Sequence, residues 1–88
     1  MTKSIHTDEM IALRDWLKDQ RKAQHLTMRS LAQRIEKPHS FIQRIEDGER
    51  RLDIVEFVWY CTALGVDPHT GIDLILKTTP LFNSSQQN

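Results

Sequence analysis

The chain has 88 residues, of which 39% are apolar and 27% are charged, and its formal net charge is zero. That length suffices for one small domain with a single core. No apolar run approaches the roughly 18 residues that span a bilayer, and the opening MTKSIHTDEM lacks the apolar stretch of a signal peptide. A single cysteine, Cys61, excludes an internal disulfide. We therefore expect a cytoplasmic protein with no membrane segment.

Helical periodicity dominates the first half of the chain. Thr7, Asp8 and Glu9 form a helix start signal with acids in the first turn. The residues that follow share one face at helical spacing: Met10, Leu13, Leu17 and Gln24. Thr27 is a good N-cap for a second helix, which ends before Pro38 because proline disfavours helical geometry in the preceding residue. The side chains that the second helix buries are Leu31, Ala32 and Ile35.

Three more helices are predicted after Pro38. The third ends at Asp47-Gly48, since glycine readily takes the left-handed conformation that closes a helix, and it turns Ile42 and Ile45 inward. The fourth ends at Gly65, and the fifth begins at Asp67-Pro68. We expect the fourth to bury one stripe of Ile54, Phe57, Val58, Cys61 and Leu64, and the fifth to carry Ile72, Ile75 and Leu76. The last residues, 83–88, have nothing to bury, so we expect a disordered tail.

The corner between the second and third helices has a possible functional meaning. Ala32 is small enough for the third helix to cross closely, and Ile42 fills the angle between the two helices. This is the geometry of a helix-turn-helix, whose second helix lies in the DNA major groove. Positive charge also collects here, because residues 27–52 carry six basic and four acidic side chains. An ordinary corner in a helical bundle explains the same pattern, so the corner alone decides nothing.

A wider set of residues, over the stretch from Leu13 to Leu64 and the two residues after it, distinguishes a helix-turn-helix from an ordinary helical corner. The set comprises Leu17 and Arg21, Leu26-Thr27, Leu31-Ala32, Ile42 and Ile45, Glu46 to Gly48, and Ala63 to Val66. In order and spacing it resembles the Cro and lambda-repressor-like (xenobiotic-response-element) family. The resemblance implies an all-α, five-helix lambda-repressor-like domain over residues 1–82, with the helix-turn-helix at 27–46. It also implies that the third helix reads bases and that dimers bind near-palindromic operators.

The sequence departs from this family at three positions. Gln20 stands where the family usually has an apolar residue, and Met28 stands where a glutamine often grips a phosphate. Glu36 occupies the turn position that glycine usually holds. A left-handed Glu36 would cost about 1 kcal/mol, so the turn either carries this cost or, with Pro38 nearby, has a different shape.

The resemblance and helical geometry together suggest a role for particular side chains. The residues expected to read bases are His39, Ser40, Gln43 and Arg44. Those expected to contact phosphates are Thr27, Met28, Arg29, Lys37, Arg50 and Arg51. Arginine can bond both acceptors of guanine and glutamine the donor–acceptor pair of adenine. Arg21 and Glu46 are expected to form a structural ion pair, and Phe41 either packs under the second helix or touches a sugar or thymine methyl.

Catalysis has little support in the sequence. The four histidines are scattered without metal-ligand spacing, and no glycine-rich phosphate loop is present. Cys61 falls on the expected buried stripe, which suits a core residue better than a nucleophile. We expect neither an enzyme nor a bound metal or cofactor.

The main alternative is a protein-interaction module. Trp59 points away from the expected stripe with Val55 one turn before it, and such an exposed apolar pair suggests a partner, unless the segment KTTPLF covers it. The protein would then be a homodimer, a regulator held by an antagonist, or an antitoxin-like partner of a toxin. Residues expected at a dimer or partner interface are Trp59, Ile72, Ile75, Leu76, Leu81 and Phe82.

Overall fold

A computed structural model describes residues 7–80 of the protein, and these residues form five helices. The helices are α1 (Asp8–Ala23), α2 (Met28–Ile35), α3 (His39–Glu46), α4 (Ile54–Leu64) and α5 (Pro68–Thr78). No strand occurs within this range. The expected all-α, five-helix architecture is confirmed. Leu81, Phe82 and the tail at 83–88 lie outside the described residues.

Side-chain caps begin four of the helices in this range. Thr7, Thr27, Asp53 and Asp67 each accept a hydrogen bond from a backbone N–H in the first turn of α1, α2, α4 and α5. Such bonds satisfy N–H groups that have no partner inside the helix. Helix α3 differs, because Pro38 precedes it and offers no side-chain cap.

Helices α1 to α4 all end in the same backbone motif. One residue after each helix has a positive φ angle, and these residues are His25, Glu36, Gly48 and Gly65. The N–H of the next residue then bonds the carbonyl five positions earlier, as from Leu26 to Arg21 and from Lys37 to Ala32. This is the Schellman motif, for which glycine is the usual residue at the left-handed position. Two of the four positions therefore carry a side chain where glycine would be unstrained.

The turn of the helix-turn-helix has the left-handed backbone conformation that glycine usually adopts, although Glu36 occupies this position. Glu36 has φ 62° and ψ 43°, which is left-handed. The alternative of a differently shaped turn is therefore wrong, and the backbone carries the expected cost.

Replacing Glu36 with glycine should raise the free energy of unfolding by about 1 kcal/mol, because the strain of the left-handed side chain is removed. In a domain of this size that corresponds to roughly 4–8 °C in Tm. Glu36→Ala is the matched control, since it removes the carboxylate but keeps the Cβ. Equal stabilisation by both variants in thermal unfolding would assign the effect to charge instead of backbone strain.

The core draws on α1 to α4. Its fully or nearly buried apolar residues are Leu13, Leu17, Leu31, Ala32, Phe41, Ile42, Ile45, Phe57, Tyr60, Cys61 and Leu64. Burial raises the pKa of the Cys61 thiol to about 11, which supports a packing role over a nucleophilic one. None of the helices within residues 7–80 combines the length and hydropathy needed to cross a membrane.

The orientation of α4 differs from the predicted one. Ile54 and Val58 were expected on its buried stripe, but they are 64% and 43% exposed, whereas Tyr60 is fully buried. The buried positions run through Phe57, Tyr60, Cys61 and Leu64 at spacings of three, one and three residues. Because apolar side chains surround nearly all of α4, periodicity could not identify which of them face the core.

Helix α5 approaches its neighbours closely at Gly71. A Cβ atom there would lie 2.7 Å from Cζ of Phe57 and 3.0 Å from Cζ3 of Trp16. The missing side chain therefore lets α5 pack against α1 and α4. Ile75 is half-buried against the core, but Ile72 and Leu76 are exposed.

Candidate nucleic-acid interface

The corner between α2 and α3 is built from buried contacts. Ala32 is 1% exposed, and Ile42 and Ile45 are completely buried. These side chains place α3 against α2 with its opposite face toward solvent. The interpretation of Ala32 and Ile42 as corner residues is therefore confirmed.

The outer face of α3 presents polar side chains. Ser40, Gln43 and Arg44 are exposed, and His39, the first residue of the helix, is half-buried. Nε of Arg44 lies 4.0 Å from Oε1 of Glu49, and both side chains are 61% exposed. An ion pair this loose contributes little to stability, so the Arg44 guanidinium can move to another acceptor. The structure thus brings together on one surface all four residues expected to read bases.

The start of α2 combines a cap with an exposed cation. The hydroxyl of Thr27 accepts a bond from the Ser30 N–H at 3.0 Å and donates one to the Ser30 hydroxyl at 2.9 Å. Met28 packs against the core, and Arg29 is exposed. The N–H groups of the first helical turn have no acceptor inside the helix and carry the positive end of its dipole. This end of α2 is therefore suited to an anion through its backbone, with Met28 contributing no polar side chain.

Two cations, one within the corner and one in the loop after α3, are already engaged within the chain. The Lys37 ammonium lies 5.6 Å from the Phe41 ring centre and 5.5 Å from the Trp59 ring. The Arg50 guanidinium lies 4.7 Å from the Phe41 ring centre and bonds both carboxylate oxygens of Glu56, at 3.1 and 3.2 Å. Phe41 itself is buried. The phosphate contacts of Lys37 and Arg50 stay predictions, and each would require the side chain to leave these partners.

The predicted ion pair between α1 and α3 is present. Arg21 donates from Nε and Nη2 to the two carboxylate oxygens of Glu46 at 2.6 and 3.0 Å, and from Nη1 to the Leu26 carbonyl at 2.7 Å. Side-chain exposure is 10% for Arg21 and 2% for Glu46. The bond to Glu46 raises the pKa of Arg21. This buried pair fixes the C-terminal end of α3 to α1.

Sequence reasoning missed Glu56. Its carboxylate accepts the Asp53 N–H at 3.0 Å, while Asp53 caps the Glu56 N–H at 2.7 Å. Asp53 and Glu56 thus form a capping box, which their spacing of three residues could have revealed. The bonds from Arg50 hold the pKa of Glu56 below its ordinary value. Nothing in the spacing of Arg50 and Glu56 indicated that they meet.

The expected interface residues do not all lie on one exposed surface. Trp59 is 45% exposed, and the Lys37 ammonium lies 5.5 Å from the centre of its ring. Cover of Trp59 by the segment KTTPLF stays a prediction, because Leu81 and Phe82 lie outside the described residues. Ile72 and Leu76 are exposed on α5, whereas Ile75 contributes to the core. Helix α4 adds two exposed residues that were not expected at an interface, Ile54 and Val58, and it also exposes Val55, as expected for its pair with Trp59.

Comparisons with known proteins agree with this geometry. A helix-turn-helix family model matches residues 17–70. The chain is 38% identical to an XRE-family like protein from Pseudomonas syringae pv. tomato, with a TM-score of 0.77 over 88% of this chain and 94% of that one. The restriction-modification controller protein C.AhdI from Aeromonas hydrophila shares the fold at 24% identity and a TM-score of 0.66, over 72% of this chain and 91% of its own.

A third structure with the same fold is the clp gene regulator ClgR from Corynebacterium glutamicum. It is 20% identical, with a TM-score of 0.70 over 78% of this chain and 73% of that one. No curated protein matches the chain. The matched segment contains the whole corner, the exposed face of α3 and the buried pair of Arg21 and Glu46. The chain therefore belongs to the XRE-type, Cro and lambda-repressor-like family of helix-turn-helix DNA-binding transcription regulators.

Proposed function

We propose that the protein binds double-stranded DNA sequence-specifically, and that it reads a near-palindromic operator as a homodimer through α3. The observation that carries this proposal is the polar outer face of α3, held in place by an entirely buried inner face of Ile42 and Ile45. A rigid helix with exposed hydrogen-bonding side chains can enter the major groove and meet base edges there.

The chemistry of that outer face supports direct base reading. Arg44 matches the two acceptors of guanine, and Gln43 matches the donor and acceptor of adenine. His39 and Ser40 begin the helix, where short side chains reach either a base edge or the adjacent phosphate. The loose contact between Arg44 and Glu49 costs little to break, so Arg44 is available to DNA.

The surrounding groups suit sequence-independent binding of the DNA backbone. We assign phosphate contacts to the backbone N–H groups at the start of α2, next to Thr27 and Met28, and to the side chains of Arg29 and Arg51. Charge-assisted bonds from arginine and from helix N-termini are the usual source of such affinity. Lys37 joins them if its ammonium leaves the rings of Phe41 and Trp59.

A protein partner that binds the exposed face of α4 is the second candidate. Val55 is 53% exposed and Trp59 is 45% exposed, which is unusual for large apolar side chains. A binder of proteins alone would not need Gln43 or Arg44. The two functions are therefore separable by substitutions on α3 and α4.

Selection of bound sites from random duplex DNA tests the proposed function. We expect enrichment of a sequence with two similar half-sites whose centres lie about one helical turn, or roughly 34–36 Å, apart. Recovery of unenriched DNA would contradict sequence-specific binding. Enrichment of one unpaired half-site would contradict the dimeric arrangement while leaving base reading intact.

Replacing Arg44 with alanine should weaken binding to the selected site by about 1–3 kcal/mol and relax the choice at one base pair, because a bidentate contact is lost. Titration of the selected duplex and of its single-base variants measures both effects. Arg29→Ala is the control, since loss of a phosphate contact should weaken all the duplexes alike. If Arg44→Ala behaves in the same way as Arg29→Ala, Arg44 does not read a base.

A further inference from the structure

Five side chains form a continuous cluster between α3 and α4. They are Lys37, Phe41, Arg50, Glu56 and Trp59, hereafter the cation–π cluster. Phe41 lies next to the solvent-facing Ser40 on α3, while Glu56 and Trp59 belong to α4. Lys37 and Arg50 both lie within 6 Å of the Phe41 ring centre. The cluster therefore holds two positive charges close to the proposed DNA-binding face.

Arg50 is held more firmly than its position in a loop would suggest. Its guanidinium makes three hydrogen bonds, two to the Glu56 carboxylate and one to the Arg51 carbonyl at 3.0 Å, and it also stacks on Phe41 at 4.7 Å. Three of its five N–H donors are thus used within the chain, and its side chain is only 34% exposed. To extend outward to a phosphate, the guanidinium must leave the Phe41 ring and the Glu56 carboxylate. A bidentate pair with a carboxylate is also among the strongest charge-assisted arrangements.

Glu56 cannot follow Arg50 toward DNA. Its carboxylate also accepts the Asp53 N–H at the start of α4, and its side chain is only 13% exposed. The solvent-exposed ion pair at the end of α3 is different, because Nε of Arg44 and Oε1 of Glu49 are 4.0 Å apart and both side chains are 61% exposed. Arg44 is thus loosely held, whereas Arg50 is paired with an acid that a second hydrogen bond ties to the start of α4.

We propose that Glu56 restrains Arg50 and thereby lowers the sequence-independent part of the protein's affinity for DNA. Arg50 follows directly after the cap of the reading helix, so an unrestrained guanidinium there would add a phosphate contact on any sequence. Glu56 holds that cation against Phe41 instead. The restraint shortens the residence of the protein on random DNA and leaves base discrimination to α3. This inference rests on the proposed function.

Glu56→Gln tests the restraint. Glutamine keeps the capping box, because it can still accept the Asp53 N–H, but it removes the charge that holds Arg50. Affinities would be measured as a function of KCl concentration on a random-sequence duplex and on the selected duplex. We expect the salt slope on both to steepen by about 0.9 per protomer, the value for one added phosphate contact. Arg50→Met alone should leave the slope nearly unchanged, since its aliphatic part still covers Phe41.

Two further variants separate restraint from a simple change in net charge. Asp53→Asn removes one negative charge from the same helix end and preserves the N-cap, so it should steepen the slope far less than Glu56→Gln. Adding Arg50→Met to Glu56→Gln should abolish the gain. Arg29→Met serves as the positive control for a phosphate contact, with an expected loss of about 0.9 in slope. Unfolding curves of every variant establish that the fold is kept.

Three results would overturn the restraint. The first is a slope that falls by about 0.9 with Arg50→Met alone, which would mean that Arg50 already contacts a phosphate. The second is an equal gain from Asp53→Asn and Glu56→Gln. The third is weaker binding by Glu56→Gln at an unchanged slope, which would mean that the pair only shapes the loop. In all three cases the wild-type protein still binds DNA, whereas absence of wild-type binding would remove the proposed function itself.

Discussion

Replacing Glu46 with alanine should lower the free energy of unfolding by about 3–5 kcal/mol, the usual consequence of removing one partner of a buried ion pair. The variant leaves the Arg21 guanidinium in a site where its side chain is only 10% exposed, without the carboxylate that accepts two of its bonds. Small domains are stable by only about 5–15 kcal/mol in total. We therefore expect a large drop in the midpoint of urea unfolding at an unchanged m-value.

The neighbouring acid provides a matched control for this effect. Asp47 is exposed and carries the same charge one residue later in the chain, so Asp47→Ala should change stability by no more than about 0.5 kcal/mol. A loss with Glu46→Ala that is no larger than this would mean that the pair is effectively solvated. Comparing the two variants distinguishes the effect of breaking a buried ion pair from the effect of removing a negative charge at this helix end.

A double replacement tests whether the loss of stability in Glu46→Ala comes from leaving the Arg21 charge buried without a partner. Arg21→Met with Glu46→Leu removes both charges and fills the space with apolar atoms, which is often neutral for buried pairs. Here we expect most, but not all, of the stability to return, because the Leu26 carbonyl also accepts a bond from Arg21. Loss of that donor leaves a penalty of about 1–3 kcal/mol if the carbonyl stays buried, and less if water reaches it.

The helix ends were predictable because their causes are local. Thr27 before α2, Asp67-Pro68 before α5, and Gly48 after α3 act through backbone groups within a few residues. The sequence identifies Glu36 as the turn residue, but it does not determine whether its backbone is left-handed. That strain is tolerated only when packing on both sides fixes the turn. The buried contacts of Ala32 and Ile42 supply that packing.

Features that depend on how helices rotate were less predictable. Helix α4 is apolar on nearly every side, so its sequence gives no polar face that would fix the rotation. Burial of Tyr60 instead of Val58 is decided by the surrounding core, where Tyr60 even places a hydroxyl without a hydrogen-bond partner among residues 7–80. Burial and the nearby negative charge of Glu46 raise the pKa of that hydroxyl.

The candidate site shows the same division between local and tertiary causes. The outward direction of Ser40, Gln43 and Arg44 follows from helical periodicity once Ile42 and Ile45 face inward. The engagement of Lys37 and Arg50 does not follow from any spacing, because their partners lie on other elements or around a loop. The sequence therefore indicates that Arg50 is a cation close to the proposed DNA-binding face, but not that it is already paired with Glu56.

The exposed apolar side chains of α4 and α5 lead to a prediction about assembly. Ile72 and Leu76 are 39% and 66% exposed, and Ile54 and Val58 are exposed on the adjacent α4. A monomer of this size rarely leaves so many large apolar groups in water, and a single reading helix covers only a few base pairs. We expect a two-fold dimer that buries these residues and places two copies of α3 in successive major grooves.

Truncation before Thr79 should lower affinity for the paired site by a factor on the order of 10²–10⁴ if dimer contacts extend into the segment that contains Leu81 and Phe82, since one of two linked half-sites is then lost. The helical content of residues 7–66 should persist. Because Thr79 also bonds the Ile75 carbonyl, truncation by itself could fray α5, and a second variant is needed.

Leu76→Asp is that second variant, because Leu76 is already 66% exposed and its replacement should not disturb the monomer fold. Burying a carboxylate in the dimer interface is costly, so we expect dissociation in sedimentation and weak binding to the paired site. Thr70→Asp adds the same charge at an exposed polar position of α5 and should preserve both. A wild-type protein that sediments as a monomer, free and on DNA, and binds one half-site as tightly as two would contradict the dimer. The exposed face of Val55 and Trp59 would then be the better guide to the partner of this protein.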